Sequence, residues 1–369
     1  MKGFATILAA ALAALTAAAC GGTQASSQPA GGSQAAAASQ PADWAQIEAA
    51  ANKEGSVTVY ALSTIPSDQL DRFRSVWAQS YPNIKVEMTT GLLPSDVVAK
   101  VSAEQDAKAY NADVAQLGGT TGRQLDKLGD LAGFLPPAIQ DKSVKWRVDP
   151  VQDVGHKGAL LAGTLTYVPI WVNTKLVQPA EEPHNHMDVT NPRWQGKIIW
   201  QQPWASGFGW NEYYLSKKYY GQEWVTKMQA QKPVTGANSN DEINQLARGE
   251  YAIGLALPGG DLATRLINAG QPLKAIWPDD FTYGSANGFS ALNHAPHPNA
   301  AKVFVNWWFT KAGQQLYEDL GQFPNRADMP GKEDWMKGFD HPKEFWWPKA
   351  SDDALAAPTQ KEAAAAFKK

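Results

Sequence analysis

The sequence lacks the features on which nucleic-acid-binding proteins and most hydrolases depend. Its formal net charge is −3, with 33 Lys and Arg against 36 Asp and Glu, and the basic residues are scattered rather than clustered. Such a chain has no basic surface to attract phosphate backbones, so nucleic acid is not an expected partner. No stretch fits the G-x-S-x-G pattern of a nucleophile elbow, and the six histidines show no paired acid at a telling spacing. These absences argue against a hydrolase.

Large apolar side chains are abundant instead. The 369 residues are 44% hydrophobic and 19% charged, a composition that predicts a globular protein of about two domains. Fifteen tryptophans exceed what one core requires. We therefore expect most of them in the core and some along a surface or cleft, where a rigid amphipathic ring is useful.

The N-terminal segment is typical of an exported and anchored protein. Lys2 precedes an uncharged apolar run that ends in small residues, which predicts a secretory signal over residues 1–19. Cys20, the only cysteine, resembles the lipobox cysteine of bacterial lipoproteins, although Ala17 replaces the usual leucine; a stray cysteine is the alternative. Residues 21–42 have no large apolar groups and predict a flexible tether. We expect lipidated Cys20 to hold the protein at the cell membrane, facing the periplasm or extracellular space.

Strand and helix patterns alternate from Asp43 onward. Helices that begin at Ser67 and Ser95 separate three predicted strands: SVTVYAL (56–62), NIKVEMTT (83–90) and ADVAQLGG (112–119). Parallel units of this kind bind ligands at the carboxyl ends of their strands. The loops 62–67 and 117–122 are therefore candidate site loops.

A second alternating unit starts near residue 164. TLTYVPIWVN (164–173) predicts a strand that crosses into it, and GKIIWQQP (196–203) predicts the strand before the turn WASGFG. One long amphipathic helix is predicted over 296–320. Two α/β units joined by extended crossings suggest lobes with a hinge and a cleft.

At this point the chain resembles the extracellular solute-binding proteins of ABC transporters, in the branch of ferric-ion, thiamine, aminoethylphosphonate and polyamine binders. Four segments carry the resemblance in order: EGSVTVYALS, PRWQGKIIWQQPWASGFGW, ARGEYAIGLAL and HAPHPNAAKVFVNWWFTKAGQQ. The resemblance implies a two-lobed Venus-flytrap α/β fold, each lobe a mixed, mostly parallel sheet flanked by helices. The implied lobes are residues 43–163 plus 289–369 and residues 164–288. It also implies a monomer that binds a solute without catalysis or cofactor and delivers it to a membrane permease.

The turn after GKIIWQQP is the strongest candidate for ligand contact. Ser206 and Gly207 should lie at the mouth of the next helix, where unpaired N–H groups and the helix dipole attract an anionic or strongly polar group. Glycine permits close approach to the backbone, and Trp204 is a candidate aromatic wall. A tight turn with Trp204 in the core is the alternative. The full candidate set is Ser63, Thr64, Gly119, Thr120, Thr121, Trp204, Ser206, Gly207, Phe208, Gly259 and Asp261.

The resemblance argues against iron as the ligand. Ferric binders of the family place a histidine, an acid and a Tyr-Tyr pair where this chain has ALST, QLGG and LPGG. His184 and His186 in EEPHNHMD could ligate a metal, but a solvated polar loop is favoured, and Asp261 with Arg265 is more typical of a surface pair. We expect a small anionic organic solute such as a phosphonate or carboxylate. A sugar, polyamine or ferric-ion binder and a secreted hydrolase remain alternatives.

Overall fold

Two β-sheets organise the part of the chain that the computed structural model describes, which is residues 44–62, 67–152, 158–319, 321–339 and 344–368. The strands are β1 Ser56–Leu62, β2 Lys85–Leu92, β3 Val114–Gly118, β4 Thr164–Val168, β5 Ile170–Asn173, β6 Ile198–Gln201, β7 Val234–Gly236, β8 Ile253–Leu255, β9 Leu273–Ile276, β10 Phe281–Ala291, β11 Phe323–Pro324 and β12 Glu344–Trp346. The helices are α1 Trp44–Glu54, α2 Ser67–Ser80, α3 Pro94–Asp106, α4 Gly119–Leu128, α5 Pro137–Gln140, α6 Phe208–Gln231, α7 Ser239–Ala247, α8 Asp261–Asn268, α9 Pro298–Phe309, α10 Lys311–Asp319 and α11 Asp353–Phe367.

The first sheet has the strand order β11-β4-β10-β3-β1-β2, with β12 beside β10. β1 pairs in parallel with β2 and β3, whereas β10 runs antiparallel to β3 and β4. Val59 of β1 packs in the cluster that contains α9, and its neighbour Tyr60 packs in the cluster that contains α3 and α4. Helices therefore cover both faces, which explains why the consecutive residues Val59, Tyr60 and Ala61 are all buried.

The second sheet has the strand order β7-β6-β8-β5-β9. β6 is parallel to β7 and β8, and β5 is antiparallel to β8 and β9. The carboxyl ends of β6, β7 and β8 consequently lie along one edge, which we call the carboxyl edge of the second sheet. Helices α6, α7 and α8 all begin just after this edge.

The chain passes between the sheets at Pro169. Val168 pairs with Tyr283 in the first sheet, and Ile170 pairs with Ile276 in the second. The predicted strand-like stretch over 164–173 does cross between the sheets, but it forms two strands, because proline has no N–H for a sheet ladder and the chain changes partners there.

The long helix predicted over 296–320 is also two helices. Thr310 is extended, with φ −72° and ψ 165°, and separates α9 from α10. Its hydroxyl accepts a hydrogen bond from the Gly313 N–H and so caps α10. The apolar pattern continues through the break, since Trp307 and Leu316 enter the same core cluster.

The C-terminal helix α11 packs on the second lobe. Ala363 and Phe367 belong to the same core cluster as Trp200 and Trp224, and α11 contacts α6. The sequence interpretation groups residues 289–369 with the N-terminal lobe, so the packing of α11 differs from it. The remaining lobe bounds stay a prediction.

The tryptophans are mostly internal. Ten of the fifteen are buried, and the other five are partly buried: Trp44, Trp146, Trp204, Trp277 and Trp347. Edge-to-face aromatic contacts are dense around Phe323, which meets the rings of Tyr167, Trp277, Trp335 and Phe339. This cluster packs beside the passage between the sheets and joins residues of both lobes.

Candidate functional site

Three helices begin with glycine at the carboxyl ends of parallel strands. Gly118, Gly207 and Gly260 are the N-cap residues of α4, α6 and α8, and none supplies a side-chain oxygen to the first N–H groups. By contrast, the Asn238 side chain caps α7, and the Glu54 carboxylate accepts hydrogen bonds from the first N–H groups of α9. The uncapped ends offer backbone donors and the positive end of the helix dipole to an anionic group.

The α6 turn has the geometry that the sequence predicts. Ser206 and Gly207 are exposed, and Gly207 has φ 120° and ψ −157°, which a residue with a Cβ does not adopt without strain. Gly209 packs so closely that a Cβ there would lie 2.3 Å from two carbonyl oxygens of the preceding segment. The Ser206 hydroxyl accepts a hydrogen bond from Gln360 Nε2 of α11 at 3.1 Å. Sequence patterns gave no sign that α11 lies beside this turn.

The aromatic residues around this turn pack inward. Trp204 and Phe208 are partly buried and contact the core of the second lobe. Tyr213 is fully buried, and burial raises the pKa of its hydroxyl, with the nearby Glu362 carboxylate adding to the shift. Trp204 and Phe208 each keep an accessible part, and their contact with a ligand stays a prediction.

The α4 turn contains an arginine that the sequence analysis missed. Gly119, Thr120 and Thr121 form its first turn, where Thr121 Oγ1 donates to the Gly118 carbonyl at 3.1 Å. Arg123 is only 7% exposed and donates two hydrogen bonds to the Asp353 carboxylate, at 3.0 and 2.5 Å. A single arginine in an amphipathic helix gives no sequence signal, which is why it escaped notice.

The Arg123–Asp353 ion pair joins α4, which follows β3 of the first sheet, to the start of α11, whose far end packs in the core of the second sheet. We expect Asp353→Ala to loosen this junction and to increase the radius of gyration of the unliganded domain in small-angle scattering. Asp352→Ala is the matched control, since the Asp352 carboxylate accepts only a local hydrogen bond from the Lys349 N–H. A scattering profile for Asp353→Ala identical to that of the wild type would contradict the proposed junction.

The α8 turn lies against the segment that follows α10. A Cβ on Gly259 would lie 2.2 Å from the Trp335 ring, and one on Gly260 would lie 3.2 Å from Gln322 Nε2. Asp261 and Arg265 form an ion pair at 2.9 Å one helical turn apart. The structure thus gives Gly259 a packing reason and gives Asp261 a surface partner, and a ligand role for either stays a prediction.

Some predicted residues lie outside the described residues. These are Ser63 and Thr64 in the loop after β1, together with Cys20, the signal segment 1–19 and the tether. Their roles stay predictions.

An unpaired buried acid was missed by the sequence analysis. Glu242, in the first turn of α7, is 2% exposed, and neither carboxylate oxygen has a hydrogen-bond partner among the described residues. Burial raises the pKa of Glu242 to about 7; the nearby Asn238 N–H opposes the shift without completing a hydrogen bond, and the Asp241 carboxylate adds to it. An acid in a capped helix start looks like an ordinary exposed residue in the sequence, so only the packing distinguishes it.

The prediction of a solvated EEPHNHMD loop is wrong for His186, although His184 is exposed. The His186 ring is 1% exposed and lies between two carboxylates, with Nδ1 2.9 Å from Asp280 Oδ1 and Nε2 3.4 Å from Glu212 Oε2. Burial opposes protonation, but the charges of Glu212 and Asp280 outweigh it and raise the pKa of His186. The ring stacks on Phe281 at 3.9 Å. This network fixes the first half of α6 to the start of β10.

Within the described ranges, no group of three or more His, Cys, Asp or Glu side chains could hold a metal ion. No helix in the same ranges is both long and apolar enough to cross a membrane.

The sequence profile of bacterial extracellular solute-binding proteins matches residues 77–343. The chain belongs to this family. This confirms the resemblance drawn from the four sequence segments. An uncharacterized protein of Haemophilus influenzae is 28% identical over 228 residues, an alignment that spans 59% of this solute-binding protein and 63% of that relative.

Solved structures share the two-lobed fold. Iron-bound HitA from Pseudomonas aeruginosa is similar at a TM-score of 0.64 and 17% identity, over 84% of this chain and 99% of that one. AfuA from Actinobacillus pleuropneumoniae, with fructose-6-phosphate bound, is similar at a TM-score of 0.60 and 20% identity, over 85% of this chain and 99% of AfuA. The substrate binding protein of an ABC transporter from Agrobacterium tumefaciens is similar at a TM-score of 0.65 and 14% identity, over 85% of this chain and 94% of that protein. At these identities the likeness establishes the fold, and it confirms the predicted α/β architecture of two lobes.

Proposed function

We propose that this protein captures a small organic solute with an anionic group, such as a phosphonate or carboxylate, between its lobes and delivers it to the permease of an ABC importer. It does so as a monomer, without catalysis or cofactor. The observation that carries the proposal is the set of three helix starts with glycine at the N-cap, where the N-cap residue has no side chain to accept a hydrogen bond from the first N–H groups of the helix. Membership of a solute-binding family supports it.

The similar structures also support this choice of ligand class. AfuA holds fructose-6-phosphate, an organic solute with an anionic group, and HitA holds iron. Glycine-rich turns with exposed backbone donors suit the first kind of ligand better, because they supply N–H groups rather than the carboxylate, imidazole or phenolate ligands of a transition metal.

A thermal-shift screen of residues 43–369 against organic anions, sugars, polyamines and metal salts tests the proposal. A ligand at 100 times its dissociation constant should stabilise the domain by about 2.7 kcal/mol. We expect the largest shift from a phosphonate or carboxylate. If only sugars, only polyamines or only metal salts shifted the unfolding temperature, the ligand would belong to that class instead of being an organic anion. The absence of any shift, or turnover of a bound compound, would contradict solute capture.

We further propose that the signal over residues 1–19 is removed and that lipidated Cys20 anchors the exported domain through the tether. Cys20→Ser is expected to release the protein from the membrane without unfolding it, because the composition of residues 21–42 contributes nothing to a core. Membrane fractionation and the cooperativity of thermal unfolding are the measurements. A variant that stays in the membrane fraction after signal cleavage, or that unfolds non-cooperatively, would contradict the anchor.

A further inference from the structure

The Glu242 carboxylate lies directly over Gly236, the last residue of β7. A Cβ on Gly236 would be 2.1 Å from Glu242 Oε1, so only glycine leaves room for the acid in this position. Gly236 ends β7 opposite Gln201, the last residue of its neighbour β6, and β8 ends beside β6 on the other side. The carboxylate therefore lies at the carboxyl edge of the second sheet. This is the edge from which the Ser206–Gly207 turn departs.

A second unpaired acceptor shares this place. Gln201 Oε1 is buried and has no hydrogen-bond partner within the described part of the chain. Gln201 pairs with Gly236 in the parallel ladder, and paired residues of neighbouring strands point to the same face, roughly 4.8 Å apart. Ile199, two residues earlier on that face, packs with Ile243 of α7. The Gln201 amide oxygen and the Glu242 carboxylate are therefore neighbours.

Among the described elements that pack against α7, none brings a free positive charge to this pair. The strands β5, β6, β7 and β8 carry no titratable side chain. The remaining neighbour, α8, carries Asp261 and Arg265, which pair with each other. On α7 itself the other acid, Asp241, is exposed and repels a second negative charge. Three acceptor atoms thus lie buried at this edge without a completed hydrogen bond among the described residues, and the Asn238 N–H is the donor near the carboxylate. Such an arrangement costs free energy unless a further donor arrives.

We propose that Glu242 and Gln201 form the receptor for a primary ammonium group of the captured solute. Both side chains offer acceptors, and an ammonium supplies three N–H donors and the missing positive charge. The inference rests on the proposed function, because it assigns the second functional group of the solute whose anionic group binds at the helix starts. The solute is then a small zwitterion.

Titration calorimetry with matched compounds tests the assignment. The probes are 2-aminoethylphosphonate, β-alanine and γ-aminobutyrate, each beside its amine-free partner ethylphosphonate, propionate or butyrate. We expect at least one amine to bind the wild type tenfold or more tightly than its partner, and Glu242→Gln to reduce that ratio to near one. Asp241→Asn is the matched control and should keep the wild-type ratio.

The pH dependence gives an independent readout. Only the ionised carboxylate attracts an ammonium, so affinity for the amine should fall about tenfold from pH 8 to pH 6, as expected for an acid whose pKa is about 7. Glu242→Gln should lose this dependence while remaining folded, since glutamine has the same shape and no charge to bury.

Equal binding of every amine and its partner by the wild type would overturn the receptor, as would a ratio that Glu242→Gln retains. If the amine-free anions still bind in either case, the proposed capture of an anionic solute survives and only the ammonium receptor fails. Binding by no compound here or in the broader screen would overturn both.

Discussion

Replacing Glu242 with glutamine is expected to stabilise the unliganded protein by about 3 kcal/mol more at pH 8 than at pH 4.5. The carboxyl pKa rises from 4.5 in the unfolded chain to about 7 in the folded one, and each unit corresponds to about 1.4 kcal/mol. Between these pH values the folded state holds a proton that the unfolded state has lost. Stability from this group is therefore complete below pH 4.5 and is lost as the pH rises through 7. Glutamine has no proton to lose in this pH range, so the variant should not lose stability in this way.

Urea denaturation of wild type and Glu242→Gln at both pH values measures the effect through the transition midpoint. Asp241→Asn is the control, because it removes a neighbouring exposed acid from the same helix turn. That variant should lose about 0.5 kcal/mol of favourable dipole interaction. Equal midpoints for wild type and Glu242→Gln at pH 8 would show that the carboxylate has a donor in the folded state.

The same acid illustrates what sequence patterns reveal and what they omit. Ile243 and Leu246 recur at helical spacing, and both are buried in α7. Glu242 precedes them in the helix start, where acids are common and usually exposed. Its burial depends on Gly236, which comes from a different strand. Contacts of this kind arise only when the sheet register is set.

The ends of a strand could be predicted where a short apolar run has turn or helix-start residues on both sides. SVTVYAL forms β1 over the predicted 56–62. The crossing over 164–173 was predicted, but its division into two strands was not, because apolar character continues across Pro169 while the hydrogen-bond partners change. Hydrophobic periodicity records burial and carries no information about which strand lies alongside.

The predicted site was correct in local geometry at Gly207 and incomplete in its surroundings. The backbone dihedral angles of a turn depend mainly on the residues within it, so a sequence motif can predict them. Asp353 and Gln360, by contrast, contact the α4 and α6 turns from α11, which is distant in sequence from both. Likewise His186 is buried by carboxylates from α6 and from the residue before β10, which the loop composition cannot indicate.

Gly207→Val is expected to weaken solute binding by at least about tenfold, which corresponds to 1.4 kcal/mol, and to be the most damaging change in the α6 turn. A valine side chain would cover the backbone N–H groups that the solute approaches. A Cβ on Gly207 would meet no described atom within 4 Å, so the substitution causes no steric clash at that position. The stability loss of about 1–3 kcal/mol should come from the dihedral angles alone.

Two companion variants separate ligand contact from structural damage. Ser206→Ala should lower affinity by about 0.5–3 kcal/mol, depending on the charge of the solute, with little loss of stability because the hydroxyl is exposed and its partner Gln360 can bond to water. Tyr213→Phe should leave binding unchanged, since the hydroxyl is fully buried and has no hydrogen-bond partner in the described chain. Calorimetric titration with the solute from the screen gives the three affinities. Normal binding by Gly207→Val together with a loss in Tyr213→Phe would replace the backbone-donor site by a tyrosine-based one.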